Sequence, residues 1–403
     1  MKAVILAAGE GSRMWPLTCT RPKVMLPVAN KPLLEHLLHA VSDAGIKEFI
    51  LVTGYKAERV EHYFGDGSKW GINIEYCRQD TPLGTADAIL KAEPLVDRPF
   101  LVANGDTVFQ PDDIRKLLSL SSPAMGLIQL ADASGMGVVF RQGDRVSSIL
   151  EKVVPPPTNI ANAGLYVFGE EIFSAISKLD KSERGEYELP EAIQALIDGG
   201  THFGWHELSG WITFSNPWDL LDGGEWLYKP CAMNIRGIVE EGAVIKGDAC
   251  IGEGTVVRSG SYICGPVVIG SNCDIGPNCY LRPHTSIGNN CHVGAGVEIK
   301  NSIILAGTKV PHLTYIGDSV VGEGCNFGAG TQVANLRFDN QNVKAAGIDS
   351  GRRKLGAIIG DNVSTGINSC INAGTVIGCD CCIGPGVCVS GVIKPGSHLF
   401  RTR

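Results

Sequence analysis

MKAVILAAGEGSRMWPLTCTRPKVMLPV, residues 1–28, begins with an apolar run of strand length, Ala3 to Ala8. That run feeds directly into Gly9-Glu10-Gly11-Ser12-Arg13, whose glycines let backbone N–H groups approach a ligand closely. Two fixed cations follow, Arg13 and Lys23, with Pro16 and Pro22 stiffening the chain between them. A strand, a glycine turn and nearby cations suit a polyphosphate group. The spacing is neither GxGxxG nor GxxxxGK[ST], which counts against a dinucleotide fold and a P-loop kinase.

Outward from this stretch, strand-like and helix-like runs alternate: Val4–Leu6, Leu33–Ala44, Glu48–Val52, Ala57–Tyr63 and Ile72–Tyr76. Alternation of this kind predicts a parallel sheet covered by helices, with ligands at the carboxyl ends of the strands. The turn at Gly9 lies at such an end. A second apolar strand, from Leu101, ends in Asn104-Gly105-Asp106 and so places a carboxylate.

The second half of the chain keeps a different time. From Val239 an aliphatic residue recurs at every sixth position, through Ile245, Ile251, Val257, Ile263, Ile269, Ile275, Leu281, Ile287 and Val293 to Ile299. Neither a helical nor an alternating-strand period gives this pattern; it is the hexapeptide repeat of a parallel β-helix. The beat resumes at Ile359, slips at Thr365 and returns at Ile371, Ile377, Ile383 and Val389. Between the two runs, 334–357 breaks the period and carries Asn335, Arg337, Lys344, Arg352, Arg353 and Lys354, a candidate lid or phosphate grip. Two domains are therefore expected, 1–230 and 231–403.

The opening pattern LAAGxGxRxxPLTxxRPKxxLPV resembles that of the sugar-1-phosphate nucleotidylyltransferases. The resemblance implies an α/β first domain with a Rossmann-like mixed, mostly parallel sheet of nucleotidyltransferase type. It assigns nucleotide contacts to Ala7, Ala8, Gly9 and Gly11, and charge neutralisation to Arg13 and Lys23. Gln79-Asp80-Thr81-Pro82-Leu83-Gly84-Thr85 matches the base-recognition segment, in which Gln79 reads the base while Gly84 and Thr85 close over it. An amide offers a donor and an acceptor, which suits uracil or thymine. Gly137, Glu151 in the pair Glu151-Lys152, and Asn162 match the sugar pocket. Asp106 matches a ligand of Mg²⁺ (or Mn²⁺), a hard ion that takes one or two carboxylates plus phosphate and water oxygens. Where relatives carry the second metal carboxylate, the segment Trp211-Ile212-Thr213-Phe214-Ser215-Asn216 has Thr213, leaving the second ligand open between Thr213 and Asn216.

Residues 292–339 resemble the acetyltransferase half of the bifunctional enzymes that join N-acetylglucosamine-1-phosphate to UTP, through Glu298 and Lys300, Pro311 to Asp318, and Cys325 to Thr331. The resemblance implies a left-handed β-helix, a homotrimer and acetyl-CoA as co-substrate. His312 matches the base that deprotonates a sugar amine, a role its near-neutral pKa range suits. Arg282 and Lys300 match the grip on the sugar phosphate, and Tyr315, Asn326 and Asn335 the contacts to sugar and oxyanion.

At 403 residues and a net charge of −7 the chain lacks the basic stripe of a nucleic-acid binder. No apolar run reaches membrane-span length and no signal-peptide pattern is present, so the expected setting is cytoplasmic. Twelve of fourteen cysteines lie from Cys231 onward without paired CxxC spacing, as small buried residues of the repeat. The expected activity is acetylation of glucosamine-1-phosphate followed by uridylyl transfer with release of pyrophosphate. The partners are UTP or dTTP, a hexose- or hexosamine-1-phosphate, and acetyl-CoA. Two other readings stay open: a monofunctional glucose-1-phosphate thymidylyl- or uridylyltransferase with a structural β-helix, and a non-catalytic or regulatory subunit.

Overall fold

The computed structural model describes residues 1–151, 153–228 and 233–401. Packing divides the chain into two compact units: Met1–Glu10, Pro22–Met25 and Leu33–Thr213 form the first, and Gly11–Arg21, Leu26–Pro32 and Phe214–Arg403 the second. The junction expected at 230/231 falls outside the described residues, as do Lys152 and Cys231.

In the first unit, β1 (Lys2–Ala7), α1 (Leu33–Asp43), β2 (Glu48–Thr53), α2 (Ala57–Phe64), β3 (Asn73–Arg78), α3 (Thr85–Ala92) and β4 (Phe100–Asn104) alternate as the sequence pattern predicts. The strands line up in the order β3-β2-β1-β4, all parallel. Ile160–Phe168 then runs antiparallel to β4, and Ala124–Gln129, Gly204–Glu207, Arg145–Glu151 and Gly137–Gln142 complete a nine-stranded mixed sheet. Both faces are covered. Ala3, Ile5 and Ala7 pack among the leucines of α1, whereas Val4 and Ala8 pack with Ala86 and Ile89 of α3. A strand buried on both sides has no place for a polar alternate, hence the unbroken apolar run. The parallel strands all end at one edge, so Ala8, Gly54, Gln79 and Gly105 follow one another there.

In the second unit, three parallel sheets of nine, nine and eight short strands wind into the β-helix. Ile251, Ile269, Ile287, Ile304, Val321 and Ile359 stack along the inside of the first face. Val257, Ile275, Val293, Val310 and Phe327 line the second, and Ile263, Leu281, Ile299, Ile316 and Val333 the third. Burying each such side chain is worth about 1.5–3 kcal/mol, and only stacking provides the cover. Cysteines two places before an inward residue, such as Cys273, Cys279, Cys291, Cys325 and Cys381, are buried too. Those one place before it point outward, so Cys370 and Cys388 are exposed, contrary to the expectation of uniformly buried thiols.

The coils do not stop at Ile299. Each takes eighteen residues up to Ile287, and the next two take seventeen. The missing residue falls at the corner after the third face, between Ile299 and Ile304 and again between Ile316 and Val321. The excursion between Val333 and Ile359 leaves from that same corner.

Within the second unit, Gly11–Arg21 and Leu26–Pro32 pack on the β-helix. Asp361 accepts from Thr20 Oγ1 at 2.5 Å, from Arg21 Nη2 at 2.8 Å and from the Glu323 N–H at 2.8 Å. Arg21 also pairs with Glu323 at 3.0 Å. Asn30 donates to the Ile287 carbonyl at 2.6 Å and accepts from Ser286 at 2.8 Å.

Candidate functional site

In the first unit, Ala7 ends β1, Ala8 follows it and both are buried, while a side chain at Gly9 would meet open space. Gly105 follows β4 and its N–H donates to the Leu6 carbonyl at 2.9 Å, which brings Asp106 to the strand end. Asp106 Oδ2 forms an ion pair with the buried Lys23, and its Oδ1 accepts from Thr107 Oγ1 at 3.3 Å. Thr213 lies opposite Thr107 on a paired strand, its hydroxyl 3.5 Å from that of Thr107. Asn216 falls in the second unit, where its N–H and that of Ser215 both donate to Asp219 at 2.7 Å. Gly11 and Arg13 also group with the second unit. Gly11 adopts φ 71°, and its carbonyl accepts from the Met14 N–H at 2.9 Å and from Thr18 Oγ1 at 3.2 Å; Arg13 is exposed.

Gln79 is buried beside the same edge. Its Nε2 donates to the Gly84 carbonyl at 3.0 Å and to Asp87 Oδ2 at 2.8 Å. Gly84 has φ +100°, and a Cβ there would sit 2.5 Å from the Tyr187 carbonyl, so only glycine fits. Thr85 does not cap its own helix: its hydroxyl accepts from the Leu189 N–H at 3.3 Å, tying α3 to the next helix, Leu189–Asp198. Further along the sheet, Glu151 faces Gly137 in strand register, and its Oε2 lies 2.7 Å from where a Gly137 Cβ would be. Asn162 Nδ2 donates to the Tyr166 hydroxyl at 2.7 Å, and its Oδ1 accepts from the Gly164 N–H at 3.1 Å. Burial, with Glu151 nearby, pushes the Tyr166 phenol far up and keeps it neutral. Gly137, Glu151 and Asn162 thus come together.

In the second unit, the short corner gathers four predicted residues. Arg282 Nη1 pairs with Glu298 at 2.8 Å, and Lys300 Nζ with Asp318 at 3.1 Å. Asn335 Nδ2 donates to the Tyr315 hydroxyl at 3.1 Å and to Asp318 Oδ2 at 2.5 Å. Partial burial and the charges of Asp318 and Glu298 raise the Tyr315 phenol, which stays protonated as a donor. His312 and Asn326 lie instead on the second face, in strands Lys309–His312 and Asn326–Phe327. Both are exposed. Leu313, next to the imidazole, takes φ 50° and is exposed, its N–H donating to the Ala295 carbonyl at 2.9 Å. In the excursion, Arg337 pairs with Asp339 and Arg352 with Asp222; Arg337, Lys344, Arg353 and Lys354 are exposed.

Residues 2–226 match the family model described as nucleotidyl transferase, and 263–366 match a GMPPB C-terminal domain model. A bifunctional protein GlmU of Methanocaldococcus jannaschii is 40% identical, over 100% of this chain and 98% of the relative. One from Methanococcus maripaludis strain C7 is 44% identical over 100% and 97%. The chain belongs to the GlmU family. A bifunctional sugar-1-phosphate nucleotidylyltransferase/acetyltransferase of Sulfurisphaera tokodaii is 40% identical over 99% and 100%. Among solved structures, one from Bacillus anthracis described as a glucose-1-phosphate thymidylyltransferase matches 56% of this chain and 94% of its own. Its TM-score is 0.52, at 28% identity.

As a GlmU-family enzyme the chain carries both transferase halves. A hard cation fits the first unit. The donors at Asp106 are carboxylate oxygens, one of them paired with Lys23, and such oxygens suit a hard ion; among the described residues no group of three or more His, Cys, Asp or Glu forms a metal cage. Sequence reading missed Asp87 and Gly54. Asp87 sits eight residues from Gln79, a separation no period flags. Gly54 is wedged so that a Cβ would stand 2.8 Å from the Ala8 carbonyl and 2.9 Å from that of Gln79. No helix of the described residues is long and apolar enough to cross a membrane.

Proposed function

We propose that the chain makes a UDP-N-acetylhexosamine in two steps, acetylating glucosamine-1-phosphate from acetyl-CoA and then transferring a uridylyl group from UTP, with dTTP as the competing nucleotide. The observation that carries the first step is the corner cluster Arg282, Glu298, Lys300, Tyr315, Asp318 and Asn335 with an exposed His312 on the neighbouring face. His312 takes the proton of the sugar ammonium, and the freed amine attacks the thioester carbonyl. The C–S bond breaks as the amide forms, and the leaving thiolate takes up the proton that the attacking nitrogen gives up. Arg282 and Lys300 hold the sugar phosphate. Each cation is already fixed by a carboxylate, so little side-chain freedom is lost on binding. Tyr315, Asn326 and Asn335 contact the sugar and the oxyanion.

In the second step a phosphate oxygen of the acetylated sugar attacks the α-phosphorus, and the bond to pyrophosphate breaks. Arg13, Lys23 and the amides of Gly9–Gly11 neutralise the charge that gathers on the leaving group. Mg²⁺, when bound by Asp106 with Thr213 or Asn216, supplies further neutralisation at the phosphates. Gly137, Glu151 and Asn162 receive the sugar, and Gln79, Gly84 and Thr85 the base. The β-helix is proposed to assemble as a homotrimer, with domains 1–230 and 231–403. Lys23→Ala should cut pyrophosphate release about 100-fold or more and leave CoA release unchanged, and His312→Ala should do the reverse. CoA release absent from wild type would leave the monofunctional transferase. Pyrophosphate release absent from wild type, with Thr213 in the carboxylate's place, would leave a dead first site.

A further inference from the structure

We infer that Asp87 is a positioning residue that fixes which end of the Gln79 amide faces the base, and so selects nucleobases carrying a ring N–H at the position read. The amide end that faces inward meets only acceptors: the Gly84 carbonyl at 3.0 Å and Asp87 Oδ2 at 2.8 Å. A carbonyl oxygen placed there would face a carbonyl and a carboxylate, so the NH₂ must point inward and both of its protons are used. Among the described residues, Gln79 Oε1 takes no hydrogen bond and is not sealed from solvent. The amide therefore presents a lone acceptor, where an unrestrained glutamine could present either end.

An acceptor pairs with the N3–H of uracil or thymine and is repelled by the N3 lone pair of cytosine. The adenine N1 lone pair is excluded in the same way. Discrimination of this kind is strong because the wrong base leaves a buried polar group unpaired.

The surroundings of Asp87 suit a carboxylate that accepts from Gln79. It is 7% exposed and is the third residue of α3, where the helix N-terminus favours an anion. Lys91, one turn on, places its ammonium 3.8 Å from Oδ1. Asp87 touches no reacting atom, so its effect belongs in nucleotide binding and choice and not in the chemical step.

The inference rests on the nucleotidylyl-transfer reading, and the test separates the two. KM and kcat for UTP and CTP are measured with one sugar phosphate for the full chain and for Asp87→Ala. Wild type is expected to prefer UTP by at least about 100-fold in kcat/KM. In Asp87→Ala only the Gly84 carbonyl still holds the NH₂, so the amide turns more easily: KM for UTP should rise about tenfold with kcat within about threefold, and the UTP-to-CTP preference should fall about tenfold or more. Equal losses for both nucleotides, no change for either, or a wild type that prefers CTP would each overturn the role of Asp87. A wild type that releases pyrophosphate from no nucleotide overturns the parent reading instead. If Asp87→Ala melts early, Asp87→Ser keeps a small polar group in the first turn and is read in the same way.

Discussion

Gly54 shows how little space separates the parts of the first site. Its ideal Cβ would collide with backbone on both sides, the carbonyls of Ala8 and Gln79, and neither atom belongs to a flexible side chain. Gly54→Ala is therefore expected to push the end of β1 away from the end of β3. The readout is a rise of about tenfold in KM for UTP with CoA release unaltered; unchanged UTP kinetics would show that the two strand ends move without consequence. At this scale the glycines, cations and Asp106 were legible because each belongs to a contiguous motif. Gly54, and Asp87 behind Gln79, were not, since their importance arises from which atoms the sheet edge and α3 bring within 3 Å.

Among the elements, the β-helix coils were the plainest part of the sequence, because an inward residue every sixth position is a direct consequence of three-sided winding. Reading stopped at Ile299 because the following coils drop one residue at a corner, a change that shifts the beat without breaking the stack. The slip at Thr365 has a packing cause: it stacks in register with Phe327, the largest inward side chain of its face. Its hydroxyl lies 2.8 Å from that of Thr331 and accepts from the Gly328 N–H at 3.0 Å. Thr365→Ile restores the periodic pattern yet should destabilise the chain by about 1–3 kcal/mol, through overpacking below Phe327 and loss of those bonds. A higher melting temperature in this variant would refute that account of the slip.

For the whole molecule, the opening motif is divided: Met1–Glu10 and Pro22–Met25 pack with the α/β unit, and Gly11–Arg21 with the β-helix unit. No local pattern announces this, because the bond that fixes it joins Arg21 to Asp361, residues 340 apart in the chain. The pair is buried, with side-chain exposures of 7% and 6%. Asp361→Asn leaves the Arg21 guanidinium short of its counter-ion in a buried place and should lower stability by about 3–5 kcal/mol. Denaturant unfolding followed in full-length variants measures it, and a loss below about 1 kcal/mol would show that Glu323 alone suffices.

The central claim is that one polypeptide performs acetyl transfer and nucleotidylyl transfer in sequence. The full chain incubated with glucosamine-1-phosphate, isotopically labelled acetyl-CoA, UTP and Mg²⁺, with products resolved by mass, tests it most directly. The account predicts a UDP-linked N-acetylhexosamine that carries the label, with CoA and pyrophosphate released in equal amounts. Pyrophosphate accompanied by an unlabelled UDP-sugar would contradict it.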